Sequence, residues 1–241
     1  SLAGMVKNRE TFPVTLPNVV TMRHTHTPEQ GFTKGQPATG AEIAEDLTRI
    51  CETYGGSTIA AVFVEPIAGS TGTLVPPVGY LKRLREICDE HGIQLVFDEV
   101  ITGFRIEFGG CQQYYNIYPD IVTYGKAVGG GMPIGVVAGS KWVMNAFSGA
   151  DDSPVIFAGG TFNGHPLTMV AGIAILEHLK ENQEEIYPYL HEQGNRIANE
   201  INDFCKANNI AAQMMNAGSM MHLIFGNETI ESSRDIDHSH Y

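Results

Sequence analysis

What most constrains this chain is a repeated alternation: a short apolar run stops at a polar residue, a helical pattern follows, and another apolar run begins. Thr58-Ile59-Ala60-Ala61-Val62-Phe63-Val64-Glu65 ends in a carboxylate, and so does Ile93-Gln94-Leu95-Val96-Phe97-Asp98. Asp120-Ile121-Val122-Thr123-Tyr124 runs into Gly125-Lys126. Runs this continuous read as buried strands of a parallel sheet. Between the first two, Leu81, Leu84, Ile87, Cys88 and His91 recur at three- and four-residue steps, with Pro76-Pro77 ahead and Gly92 behind, which predicts a helix over 76–91. Ile43, Leu47 and Ile50 predict another over 40–53. Further helices are predicted over 141–147, 165–181 and 184–207, and further strands at Ile134–Ala138 and Gly218–Phe225. Residues 1–40 read as an irregular lead-in with one short strand around Val19–Met22.

Strands alternating with helices predict an α/β protein with a mainly parallel sheet and right-handed crossovers. Ligands of such sheets bind beyond the carboxyl ends of the strands. Glu65, Asp98-Glu99 and Gly125-Lys126 all fall at those ends, so the candidate chemistry converges on one edge.

Composition removes several alternatives. With 15 Lys+Arg against 27 Asp+Glu, the net charge of −12 argues against nucleic-acid partners, which need a basic face. It leaves room for one phosphate held locally. No apolar run approaches the ~18 residues of a membrane span. Neither a basic n-region nor an apolar h-region opens the chain, so no signal peptide is read and a cytoplasmic location is expected. Cys51, Cys88, Cys111 and Cys205 lie far apart, as reduced buried thiols do, and no metal site is expected of them. His24/His26 and His238/His240 have H-x-H spacing without an identifiable third ligand. Met214-Met215 and Met220-Met221 read as core or interface.

Val96-Phe97-Asp98-Glu99 has the look of a nucleotide hydrolase's magnesium strand, but that reading requires a G-x-x-x-x-G-K-[ST] loop. Gly125-Lys126 is followed by Ala127, and position 120 is Asp, so the loop is absent. A dinucleotide fingerprint fails as well, because Gly129-Gly130-Gly131-Met132-Pro133-Ile134 ends in Ile. Two readings of Lys126 remain. One is an ordinary surface lysine. The other starts from its setting, a lone ammonium between a buried strand and three glycines, which permits imine chemistry. The glycines would let the backbone approach a flat ring or a phosphate, and Asp98 could pair with a protonated pyridine nitrogen. A lysine imine with an aspartate on the ring nitrogen is the protein's half of pyridoxal phosphate chemistry.

Three stretches carry a family resemblance: Val64-Glu65-Pro66-Ile67, then Leu95 to Arg105 (LVFDEVITGFR), then Pro119 to Gly135 (PDIVTYGKAVGGGMPIG). In order and spacing, from about residue 58 to 181, the chain resembles class III pyridoxal-phosphate aminotransferases of fold type I. Phe108–Tyr115 and Gly129–Gly135 are similar to the glutamate-1-semialdehyde aminomutase branch. Asp151–Pro154 and Phe157–Leu167 are similar to aminotransferase domains of polyketide and nonribosomal peptide synthases. Asn163-Gly164-His165-Pro166 stands where the aminomutases carry Ser-Gly-Asn-Pro.

The resemblance implies roles residue by residue. Lys126 would form the imine with the cofactor and then shuttle the proton of a 1,3-shift. Asp98 would pair with the pyridinium nitrogen, and Val100 would pack on a ring face. Thr161 would bind the phosphate of a cofactor held mainly by the neighbouring subunit, making a homodimer; its other reading is a cap before the next helix. Glu65 would orient groups near the ring, or merely bond to backbone. Arg105 would hold a substrate carboxylate, or serve as a structural ion-pair partner. Residues 1–182 would form the cofactor-binding large domain and 183–241 the start of an α+β small domain. The family's phosphate loop and ring-stacking aromatic do not occur here, so the chain is expected to be partial. The expected reaction moves an amino group from an amino donor to a carbonyl acceptor, free or carrier-bound. The alternatives are a glutamate-1-semialdehyde-type 2,1-aminomutase and, from another class, a non-catalytic binding or assembly fragment.

Overall fold

The computed structural model describes residues 4–11, 14, 16–27, 29, 34–148, 155–226 and 236. At its centre β1 (Ala61–Val64), β2 (Gln94–Glu99), β3 (Ile121–Gly125) and β4 (Gly135–Gly139) form one sheet in that order. The first three are parallel, with Val62 beside Leu95 and Asp98 beside Thr123; β4 closes the edge antiparallel to β3. The mainly parallel α/β expectation holds.

Helices α2 (Glu45–Tyr54) and α3 (Tyr80–His91) cover one face of this sheet. Ile43, Leu47, Leu84, Ile87 and Cys88 interlock there with Val62, Leu95, Phe97 and Val122. Burial on both sides is not uniform along the strands, however. Only β2 is enclosed along most of its length; Phe63 of β1 stays 56% exposed and Val137 of β4 54%. A continuous apolar run therefore does not by itself say that both faces are covered.

Several boundaries move for local reasons. Gly56–Thr58 forms a 3₁₀ turn, so β1 begins only at Ala61. Pro76 and Pro77 precede α3 rather than opening it: the Tyr80 N–H donates to the Pro77 carbonyl at 3.1 Å, and Gly79 at φ +86° starts the helix. The lead-in carries a helix, α1 (Val6–Thr11), and Val19–Met22 forms no strand. Helix α4 (Gly110–Tyr114) was also not expected, whereas α5 (Lys141–Ser148), α6 (Pro166–Glu181) and α7 (Gln183–Ala207) fall where the apolar spacing places them. Gly218-Ser219 is a two-residue turn joining β5 (Ala212–Ala217) to β6 (Met220–Phe225), not the head of a single strand. Gly218 at φ +54° supplies the tight reversal. Asn202 of α7 clamps this hairpin, donating to the Met214 carbonyl (3.0 Å) and accepting the Met214 N–H (2.7 Å). Met214, Met215 and Met220 are buried, in keeping with a core reading, while Met221 is exposed.

The loop after β2 is bolted to the C-terminal elements by three polar contacts. The Tyr187 hydroxyl donates to the Phe104 carbonyl (3.1 Å), His191 Nε2 lies 2.8 Å from the Ile106 carbonyl, and Arg105 Nη2 donates to the Ser219 carbonyl (3.1 Å).

Candidate active site

The parallel register delivers three chemical groups to one edge. Asp98 is the penultimate residue of β2 and sits beside Thr123 of β3. Lys126 follows the last residue of β3, and Glu65 follows β1. Alternation of side chains across the strands sends Asp98 and Thr123 to the face away from α2 and α3, since Phe97 and Val122 face those helices.

Asp98 is held by one oxygen. Its Oδ1 accepts the Val100 N–H at 3.1 Å and the Thr123 hydroxyl at 3.2 Å. Oδ2 takes no hydrogen bond from any described residue. Because both donors fix the carboxylate plane, that oxygen is a preset acceptor. Lys126 is exposed and opens a 3₁₀ turn, Lys126–Gly129, at φ +50°. Non-glycine residues rarely hold this conformation, at a cost of about 1 kcal/mol or more, and such strain gathers at functional sites. Glu65 feels both neighbours. Partial desolvation raises its pKa, and the Asp98 charge raises it further, against the Gly69 N–H at 3.0 Å and the Lys126 ammonium, which lower it. Those opposing influences place Glu65, Asp98 and Lys126 within electrostatic reach of one another.

Val100 belongs to the same edge: a side chain at Gly125 would meet Val100 Cγ1 at 3.2 Å. The glycines after Lys126 differ among themselves, and a methyl group on Gly131 would meet nothing within 4 Å. A methyl group on Gly130, at φ +57°, would lie 2.7 Å from the Ala171 carbonyl of α6, so this glycine lets the turn pack on a helix. Thr161 lies in an exposed turn, and no described contact joins it to Lys126 or Asp98. Arg105 Nη2 donates to the Ser219 carbonyl at 3.1 Å, and no carboxylate among the described residues pairs with it.

Glu99 was passed over as a site residue, and the structure explains what it does. It is fully buried and accepts the Cys111 N–H (2.7 Å), the Gln112 N–H (3.2 Å) and the Thr102 hydroxyl (3.0 Å). Burial raises its pKa against those donors. Gly110, at φ +72°, is required because a methyl group there would press into the Glu99 carboxylate at 2.5 Å. The Asp-Glu pair therefore divides its labour, Asp98 toward the open edge and Glu99 into the support of α4. Only strand alternation, read with Gly109-Gly110 downstream, could have signalled this.

Among the described residues no three His, Cys, Asp or Glu side chains come together in a way that could hold a metal ion. The rings of His24 and His26 lie 5.6 Å apart, tilted at 54°, while His238 and His240 lie outside the described residues. No described helix is long and apolar enough to cross a membrane.

Lys126, Asp98 and the parallel sheet edge lie on a fold type I scaffold, as similar solved structures show. An omega-transaminase from Sphaerobacter thermophilus superposes with a TM-score of 0.71 at 32% identity, covering 81% of this chain and 44% of its own. A β-phenylalanine aminotransferase from Variovorax paradoxus gives 0.68 at 29% identity, covering 87% and 51%. The aminotransferase class-III family model matches residues 1–236, and the chain belongs to that family. Among curated relatives, an omega-aminotransferase of Caulobacter vibrioides is 45% identical over 186 residues, 76% of this chain and 42% of that protein. A glutamate-1-semialdehyde 2,1-aminomutase of Lachnoclostridium phytofermentans is 42% identical over 172 residues, 71% and 39% respectively. The chain thus spans about two-fifths of the length of these relatives.

Proposed function

We propose that this chain carries the lysine-and-aspartate half of a pyridoxal phosphate site, in a protein that moves an amino group from an amino donor to a carbonyl acceptor. The observation that carries the reading is the preset, unused Oδ2 of Asp98 on the edge it shares with Lys126. The residues present fit the cofactor: an amine, a carboxylate oxygen for a ring N–H, and an apolar contact at Val100. When bound, pyridoxal phosphate supplies an aldehyde and an electron-withdrawing ring. Lys126 Nζ would be the amine that holds it and the base for the donor's α-proton. Asp98 Oδ2 would accept a pyridinium N–H, and the Val100 N–H and Thr123 hydroxyl would hold the carboxylate for it through Oδ1. Glu65 would orient groups beside the ring, Thr161 would bind the phosphate of a cofactor held mainly by the neighbouring subunit, and Arg105 would hold a substrate carboxylate.

We assign residues 1–182 to the cofactor-binding large domain and 183–241 to the small one. A homodimer is supported by the apolar surface of residues 155–173, where Phe157 is 90% exposed and Phe162, Leu167, Val170 and Ile173 are also uncovered. Soluble monomers rarely leave so much apolar surface bare. Four buried, unbridged cysteines support a cytoplasmic setting.

Adding pyridoxal phosphate to the protein and recording visible absorbance tests the reading. An imine band is expected in the parent chain and not in Lys126→Ala, while Asp98→Asn keeps the band but exchanges slowly with added amines. Absence of the band in the parent chain would support the binding-fragment reading instead. The relatives that are 2,1-aminomutases favour a second reaction, an intramolecular amino shift. Product analysis separates the two, because only transamination consumes a second keto substrate.

A further inference from the structure

We infer that Gln112 is a positioning residue for the lysine: from α4 it ties together the last rung of the β2–β3 ladder and so fixes the spacing between the Asp98 carboxylate and Lys126. Its bearing on the reaction rests on the amino-transfer reading above; the tie itself is geometric. Glu99 and Tyr124 are the last Cα partners in the parallel pairing of β2 and β3. Beyond them the strands part, β2 into the turns of residues 100–105 and β3 into the Lys126–Gly129 turn. The pairing ends at that rung, so what holds the rung also sets where Lys126 stands relative to Asp98.

One residue meets both halves of the rung. The Gln112 backbone N–H donates to Glu99 Oε1 at 3.2 Å, and its side-chain Nε2 donates to the Tyr124 hydroxyl at 2.6 Å. Both ends of the tie are themselves fixed. Glu99 is fully buried and also takes the Cys111 N–H and the Thr102 hydroxyl. The Tyr124 ring lies 5.1 Å from that of Phe104, and a methyl group on Gly103 would press into it. Burial pushes the phenol up to about 12, so its hydroxyl stays neutral. An exposed glutamine would hold nothing in this way. Gln113, the next residue of α4, is such a case: it donates to Glu107 at 2.8 Å on the surface. Gln112 is half-buried, and its two hydrogen bonds span the strands that carry the candidate chemistry. Reacting groups have to be held to about 0.5 Å, and a misplacement of about 1 Å costs on the order of a hundredfold in rate. Glu99 follows Asp98 directly and Tyr124 stands two residues before Lys126, so play at this rung reaches both groups.

The test is the rate of imine formation with pyridoxal phosphate in the full chain, read beside amide hydrogen exchange of the same chain without cofactor. Gln112→Met keeps the backbone bond to Glu99 and removes only the side-chain tie. It should slow imine formation by about tenfold, part of the loss a full ångström would bring. Exchange across residues 121–129 should rise by about tenfold while exchange in α3 stays unchanged. Tyr124→Phe should match it, and carries the test if Gln112→Met does not fold. The double variant should be no slower than either single one, since both remove the same contact. Gln113→Met, at the exposed neighbour, should alter neither readout. A merely structural role gives a different result: a lower unfolding temperature for Gln112→Met with imine formation at the parent rate, which overturns the positioning role. Unchanged exchange over residues 121–129, a rise spread over the whole chain, or effects that multiply in the double variant overturn the tie. If the parent chain forms no imine band, the amino-transfer reading falls and exchange alone decides: a rise confined to residues 121–129 supports the tie, and no rise there overturns it.

Discussion

The two faces of the central sheet are built from the same four strands and behave as different objects. On one, Phe97 and Leu95 lie at 0% exposure beneath Leu84, Ile87 and Cys88 of α3. On the other, Phe63 and Val137 stand open, and Asp98 and Thr123 share that side near the strand ends. The central pair shows how the two are combined: Phe97 points into packing and Asp98, one residue on, points into chemistry. Packing on the first face holds the strands in place, and that rigidity positions a carboxylate and a lysine on the second. A site of this kind needs one closed face and one left for ligand or partner.

The contrast is broken most forcefully at Phe97. Truncation to alanine should cost about 3–5 kcal/mol, because it removes a ring from a site with no solvent to refill it. Urea denaturation measures this; a loss near 1 kcal/mol would mean that the closed face is not the core. The same variant should disturb Asp98 through the shared strand, so its imine band should weaken along with its stability.

Acid should loosen the border of that closed face next. Met22 packs against the core, and the Arg23–Asp46 pair, at 2.9 Å, ties this segment to α2. His24 and His26 follow, and burial pushes both imidazoles down to about 4, with the His24 ring adding to the effect on His26. A folded-state value below the unfolded 6.5 means that the unfolded chain binds protons first as the pH falls. Stability is therefore fully present above about pH 6.5 and declines from there toward about pH 4, by something on the order of 2 kcal/mol for the buried His26. The Asp46 carboxyl, held below its usual value by Arg23 against the cost of burial, continues the loss at still lower pH. His26→Gln should flatten the profile between pH 6.5 and 4; an unchanged slope would place the titration elsewhere.

These differences also mark what could be read from residues alone. The α/β alternation and the strand-end convergence of Glu65, Asp98 and Lys126 were legible because buried strands advertise themselves by unbroken apolar runs. The antiparallel β5 was not, since Ala212-Gln213-Met214-Met215-Asn216-Ala217 has neither alternation nor β-branched residues, and Asn202 on α7 holds it. Tertiary contact overrides local preference there. Glu99 was opaque because its partners are backbone N–H groups twelve and thirteen residues away, which no side-chain pattern records. The Gly129-Gly130-Gly131 run reads as room for a ligand, and in the structure Gly130 makes room for α6 while Gly131 borders open space. A glycine run announces close approach without saying to what.

The smallest expected effect falls on the open face and is the sharpest test of the comparison. Phe63 sits in the middle of β1 between Val62 and Val64, and it opposes Val96 across the parallel ladder. Threonine keeps the β-branched preference for strand while removing the exposed ring. If the face is open, Phe63→Thr should change unfolding stability by no more than about 0.5 kcal/mol, as surface substitutions do. Its imine band should be unaltered, because Asp98 keeps its Val100 and Thr123 donors. Sedimentation velocity should show self-association unchanged, since the apolar surface proposed for the homodimer lies at residues 155–173. A loss of several kcal/mol, comparable with Phe97→Ala, would show that something packs on Phe63 in solution and that the two faces are equally closed. Reduced association would instead move the proposed dimer contact from residues 155–173, where Phe157 is 90% exposed, to this face.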